Sequence, residues 1–238
     1  MALEAILWDY DGTLADSTQK TMEVTLDVLS HFIPDIRENL PYPLQSKENF
    51  LEASGRISDW KELYRVYYKL NDEQLEKGCG MWGDAQLRNQ TDPELYDGIP
   101  ELLENFKDIK MGICTQNSRK PVIKNLEHLG VLKYFGAVIG VEEVAFDEQK
   151  PHPAAFINCL DALGVSDRNR TFAYIGDHSV DVAFGRNAEA MLKKGCPEAK
   201  VICIAVHYPG SYSEEDKNCP PNYIARNSAE LLRILNGI

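Results

Sequence analysis

The sequence predicts an α/β fold, a doubly wound, Rossmann-like parallel sheet with a second, smaller helical cap domain inserted near its start. Three observations carry that expectation. Short apolar runs recur at Ala5–Trp8, Met111–Cys114, Ala137–Ile139, Phe172–Ile175 and Val201–Val206. They have the length and unbroken hydrophobicity of strands buried on both faces. Helical patterns lie between most of them, and strands alternating with helices imply a parallel sheet covered on both sides. The stretch between the first two runs breaks this rhythm and offers no buried strand.

In chain order, the first run ends in Asp9-Tyr10-Asp11-Gly12-Thr13. Met22, Val24, Val28, Leu29 and Phe32 then suggest one helix, and Trp60, Leu63, Tyr64 and Tyr67 fit the i, i+3, i+4, i+7 spacing of another. Pro34, Pro41, Pro43 and the Gly78–Gly83 region punctuate this segment. Residues 17–95 are therefore read as the second, smaller helical domain, and residues 1–16 and 96–238 as the core. Pro100 suits the first turn of a helix with Leu102, Leu103 and Phe106 inward. Ser118 is placed to cap a helix whose Val122, Ile123, Leu126 and Leu129 share a face before Gly130 ends it. A further helix is expected from Pro153 to Leu163, stopped by Gly164. Asn227 followed by Glu230 has the spacing of a capping box opening the last helix.

The net charge of −12 argues against nucleic acid or an anionic membrane as partner, since both demand basic patches. A small anionic ligand stays compatible, because a bound cation or a few local Lys and Arg can invert the field in one pocket. Cys79, Cys114, Cys159, Cys196, Cys203 and Cys219 show no CxxC spacing and read as reduced thiols of a reducing compartment. The amino terminus lacks the basic and apolar regions of a secretory signal, and no apolar run approaches the roughly 18 residues of a membrane span. A cytoplasmic monomer or homodimer is expected.

Asp9 and Asp11 stand just past an apolar strand, at the carboxyl end where open α/β sheets bind ligands. Their i, i+2 spacing puts both on one side in extended geometry, and the Gly12 turn lets Asp11 aim differently. One carboxylate can attack phosphorus while the other handles a proton, and both can help hold a hard cation. The segment AILWDYDGTLADS resembles the first motif of the haloacid dehalogenase superfamily of aspartate-nucleophile hydrolases. Three further elements follow in that family's order: Thr115 ending MGICT, Lys150 in Lys150-Pro151-His152-Pro153, and Gly176-Asp177-His178-Ser179-Val180-Asp181. The helical insert after the first motif resembles the small cap of the phosphoglycolate-phosphatase-like subgroup.

The resemblance implies a phosphatase for small phosphorylated metabolites that uses Mg2+ and a phospho-aspartyl intermediate on Asp9. It assigns proton transfer to Asp11, and magnesium to Asp9, Asp177 and the backbone carbonyl of Asp11. Thr115, the backbone at Gln116, and Lys150 would hold phosphate oxygens, and Asp181 would orient the site rather than bind metal. By chemistry alone, Thr115 can donate its hydroxyl or close a turn, and Lys150 can offset charge on a phosphoryl group. Lys47, Arg56 and Arg119 are candidates to meet a second anionic group on a substrate. A phosphomutase of the same superfamily, a phospho-acceptor domain and a silent binding protein are the alternatives. Tyr10, His178 and the Met191–Lys200 stretch depart from the family's usual pattern.

Overall fold

A computed structural model describes residues 3–208 and 217–238. All the strands of its main sheet pair in parallel, and it contains the five expected strands at close to their predicted bounds: β1 (Leu3–Trp8), β4 (Lys110–Cys114), β5 (Ala137–Ile139), β6 (Thr171–Gly176) and β7 (Lys200–Val206). The short edge strand β8 (Tyr223–Ala225), which the sequence did not announce, completes the order β5-β4-β1-β6-β7-β8. Counted along the chain, that is the 3-2-1-4-5-6 order of a doubly wound sheet, which reverses direction between β1 and β6.

The two-residue period of β1 explains why its run is unbroken. Ile6 and Trp8 enter a core shared with the helices α5 (Ile99–Asn105), α6 (Arg119–His128) and α9 (Ser228–Asn236). Ala5 and Leu7 point to the other face, packed by α7 (Ala154–Ala162) and α8 (Ser179–Leu192). Tyr10 continues the first of these alternations and is fully buried in that core. It is a packing residue. The Met191–Lys200 stretch joins the end of α8 to the start of β7, at the sheet edge opposite the carboxyl ends.

Between β1 and β4 the chain forms α1 (Thr18–Leu29), α2 (Lys47–Arg56), α3 (Trp60–Tyr68) and α4 (Asp72–Arg88). Leu29, Ile36, Leu44, Leu63, Tyr68, Leu70 and Leu75 bury an apolar cluster of their own here. Two strands of two residues each, β2 (Ala15–Asp16) and β3 (Glu94–Leu95), pair antiparallel and hold the outgoing and returning chains side by side. They are too short for any sequence period to reveal.

Three local expectations need correction. The Gly78–Gly83 region does not interrupt the chain; it lies inside α4. Gly78 faces Val28 and Phe32 at ordinary contact distance, whereas a Cβ on Gly83 would stand 2.9 Å from the Ser118 hydroxyl oxygen, so the close approach of α4 to Ser118 uses Gly83. Ser118 does stand at the N-cap of α6, but its side chain makes no cap hydrogen bond. The Asn227 side chain accepts from the Glu230 N–H at 2.8 Å, whereas the Glu230 carboxylate accepts from Arg226, one residue before the cap. The box is therefore not reciprocal.

Candidate active site

The carboxyl ends of β1, β4 and β6 converge where the sheet reverses. Backbone bonds extend the ladders one residue past the strands: Asp9 N–H donates to Ile175 O at 2.8 Å, and Thr115 N–H to Ile139 O at 3.0 Å. Those bonds fix two predicted residues as rigidly as the sheet itself. Asp9, Asp11, Thr115, Gln116, Lys150, Asp177 and Asp181 all line one cavity of about 240 Å3. They come from four separate segments of the chain.

Lys150 is the electrostatic centre. Its Nζ donates to Asp9 Oδ1 at 2.6 Å and to Asp181 Oδ1 at 2.8 Å, and all three side chains are nearly solvent-free. Burial alone would lower the lysine's pKa, but Asp181 and then Asp9 more than reverse this, so Lys150 stays charged. Burial pushes Asp9 and Asp177 well above the usual carboxylate range, with Lys150 opposing the rise. Asp11 is raised by burial too, against hydrogen bonds from Ser17 and Asn117.

Asp181 is fully engaged. Besides Lys150, its Oδ1 accepts from the Tyr174 hydroxyl at 3.2 Å, and its Oδ2 accepts from the His178 N–H at 3.1 Å. It reaches Lys150 because Gly176 lacks a side chain: a Cβ there would stand 2.4 Å from Asp181 Cβ. His178 lies at the N-cap of α8 beside Asp177, and burial holds its imidazole below the usual pKa, hence neutral at pH 7.

The oxygen-rich floor fits a hard divalent cation. Asp9, Asp177 and Asp181 offer carboxylate oxygens lying within 4.8 Å of one another. Three buried carboxylates and the half-buried Asp11 face a single buried ammonium, an imbalance that a phosphate dianion would worsen and a dication would offset. Gly12, at φ +76°, keeps this space open: a Cβ would fall 2.1 Å from Asp177 Oδ2.

Several residues of the site escaped the sequence reading. The Ser17 hydroxyl donates to Asp11 Oδ1. Asn117 Nδ2 donates to Asp11 Oδ2 at 3.0 Å, while its Oδ1 accepts from the Trp82 indole of α4 at 3.3 Å. Thr115 Oγ1 accepts from Asn117 N–H at 3.0 Å, so the turn bond forms and leaves the hydroxyl proton to donate. A polar residue two positions past Thr115 was the one available signal for Asn117. Lys47, Arg56 and Arg119 do not line the cavity. They pair instead with Asp16, Glu52 and Glu143.

Fold and site define a class, a doubly wound α/β enzyme with carboxylates, a lysine and a threonine gathered at the switch point of its sheet. The chain belongs to the haloacid dehalogenase-like hydrolases, whose family model matches residues 6–192. It is 26% identical over 195 residues to pyrophosphatase PpaX of Listeria monocytogenes, covering 79% of this chain and 81% of that one. It is also 26% identical over 244 residues to a phosphoglycolate phosphatase of Yersinia pseudotuberculosis, covering 97% and 92%. A haloacid dehalogenase-like hydrolase structure from Bacteroides fragilis superposes with a TM-score of 0.74 at 19% identity, over 97% of this chain and all of that one. At that identity the structural likeness speaks for the fold.

Proposed function

We propose that this hydrolase is a magnesium-dependent phosphatase that cleaves a small organic phosphate monoester through a phospho-aspartyl intermediate on Asp9. One observation carries the reading: Asp9 and Asp11 share the cavity floor, with the buried Lys150 ammonium 2.6 Å from the Asp9 carboxylate. The names of the curated relatives, a pyrophosphatase and a phosphoglycolate phosphatase, support phosphoryl chemistry on small molecules. Asp9, Asp177 and the carbonyl of Asp11 would hold magnesium, which when bound would neutralise charge on the phosphoryl oxygens. Asp181, with both oxygens already engaged, acts as a positioning residue for Lys150.

An Asp9 carboxylate oxygen attacks phosphorus, and the bond to the ester oxygen breaks. Asp11 gives its proton to that departing oxygen; its raised pKa suits a group that must carry a proton near neutral pH. Water then attacks the phosphorus of the aspartyl phosphate, Asp11 takes the water's proton, and phosphate leaves with Asp9 restored. Lys150 and the Thr115 hydroxyl hold phosphoryl oxygens throughout, being already fixed before substrate arrives. The helices over residues 17–95 act as a cap that excludes water and meets the leaving group. Among the described residues no helix is long and apolar enough to cross a membrane, and all six cysteines are free, which supports a reducing, cytoplasmic setting.

The test is to incubate the protein with magnesium and acetyl phosphate, follow phosphate release, and map the modified residue by mass spectrometry after an acid quench. Steady release with the phosphoryl group on Asp9 is expected. A phosphoryl group on any other residue, or no release at all, would refute the mechanism.

A further inference from the structure

We infer that the substrate's leaving group is uncharged and apolar, about the size of an aromatic ring, and that it lies against the helical insert. This deepens the phosphatase reading and rests on it.

The cavity above the floor is large enough. The whole cavity, floor included, measures about 240 Å3, and an apolar protein cavity of about 150 Å3 already takes up benzene. With the phosphoryl group on the floor, the remaining wall is mostly apolar, with Leu51, Ile57, Trp60, Leu63, Leu75 and Trp82 among its residues and uncharged hydroxyl and amide groups between them. The polar tips of its aromatic residues are already engaged by protein. The Trp60 indole donates to Gln149 Oε1 and the Trp82 indole to Asn117 Oδ1, each at 3.3 Å. What the wall offers a ligand is mainly hydrocarbon and ring surface, which rewards apolar burial, and no charged side chain.

Charge excludes the alternative. Among the described lining residues Lys150 is the sole Lys or Arg; Asp9 and Asp181 take two of its three protons, and the third is committed to the phosphoryl group. The other cations near the insert are turned away. Lys20 donates to Thr91 O at 2.8 Å, and Lys61 bonds Phe146 O and sits over the Phe146 ring. Lys47, Arg56 and Arg119 are paired outside the cavity. A second carboxylate or phosphate on the substrate would therefore lose its water and gain no counter-charge, within reach of four carboxylates. The compounds in the names of the curated relatives carry such a second charge; this wall is built for one that does not.

The experiment separates the two readings. Binding of benzylphosphonate and of phosphonoacetate to the magnesium-loaded protein is measured by calorimetry, which needs no turnover. Benzylphosphonate should bind about 100-fold more tightly, the discrimination expected when one ligand fills an apolar wall and the other strands a charge against it. Equal or tighter binding of phosphonoacetate overturns the inference even if acetyl phosphate is hydrolysed. In parallel, kcat/KM for benzyl phosphate should exceed that for phosphoglycolate and for pyrophosphate, and the reverse ranking overturns it. The half-buried Leu51→Lys variant supplies the missing cation. It should move the ratio of the two phosphonate affinities at least about tenfold toward phosphonoacetate, and an unmoved ratio counts against the wall as the selector. If acetyl phosphate is inert while benzylphosphonate still binds preferentially, the ligand class stands and the phosphatase reading falls.

Discussion

The floor of the cavity and its wall are built by opposite physics. On the floor, Lys150, Asp9, Asp11 and Asp181 are tied down. Lys150 joins Asp9 to Asp181, Ser17 and Asn117 hold Asp11, and the sheet ladders continue into Asp9 and Thr115. The wall has few polar bonds and is shaped by side-chain volume, with Leu63 and Leu75 rooted in the insert's own apolar cluster. A bonded charge network tolerates almost no displacement, because each lost partner leaves a buried charge unpaired. An apolar wall tolerates volume-conserving changes at small cost. The chemistry is thus assigned to the inflexible region and the choice of leaving group to the adaptable one.

The largest expected effect tests the floor itself. Asp9→Asn should lower kcat by about 10^4-fold or more while leaving circular dichroism unchanged, because an amide cannot serve as the nucleophile. Substantial turnover in a folded variant breaks the division at its root. Metal removal comes next. Chelation should abolish turnover and added Mg2+ restore it, and Mg2+ should raise the Tm of the parent by mass action. Gly12→Ala should cancel that rise in Tm, since its Cβ would occupy space 2.1 Å from Asp177 Oδ2. A parent whose Tm ignores Mg2+ would remove the metal from the floor.

The third effect lies one step behind the reacting groups. Asn117→Ala leaves Asp11 with Ser17 as its remaining side-chain hydrogen-bond donor, and should lower kcat about 10- to 100-fold with KM nearly unchanged. A change in KM alone would mean that Asn117 serves binding rather than Asp11. The smallest effect sits where wall and floor meet. Trp82→Phe keeps the ring but deletes the 3.3 Å indole bond to Asn117, worth about 1 kcal/mol, so kcat should fall roughly fivefold at most. A loss as large as that of Asn117→Ala would show that the insert governs the floor and would erase the distinction.

The strands of the core were legible because each is buried on both faces and must be apolar throughout, as Ala5–Trp8 illustrates. The two small strands joining insert to core, and the edge strand Tyr223–Ala225, were not. Two or three residues display no period, and their pairing is a long-range event. The floor was legible for a related reason. Asp9, Asp11, Thr115, Lys150 and Asp177 each follow a strand or a fixed turn, so their segments announce them and only their convergence had to be inferred.

Ser17, Asn117 and Tyr174 had no such marker, because a hydroxyl or amide that orients a carboxylate looks like any turn or core residue until its partner is placed beside it. The glycines of α4 misled for the same reason: Gly78 and Gly83 read as breaks, yet both lie within the helix, and packing against Ser118 makes the missing side chain of Gly83 useful there. Lys47, Arg56 and Arg119 were plausible anion hooks until the fold gave each an acidic neighbour. By itself the sequence determined five of the sheet's six strands, the order of the motifs and the residue types on the floor, because strand burial and turn chemistry are local and leave a pattern. Only the tertiary structure decided which charges are already paired and which surfaces face the cavity. Those depend on residues brought together from distant segments, and no local pattern encodes them.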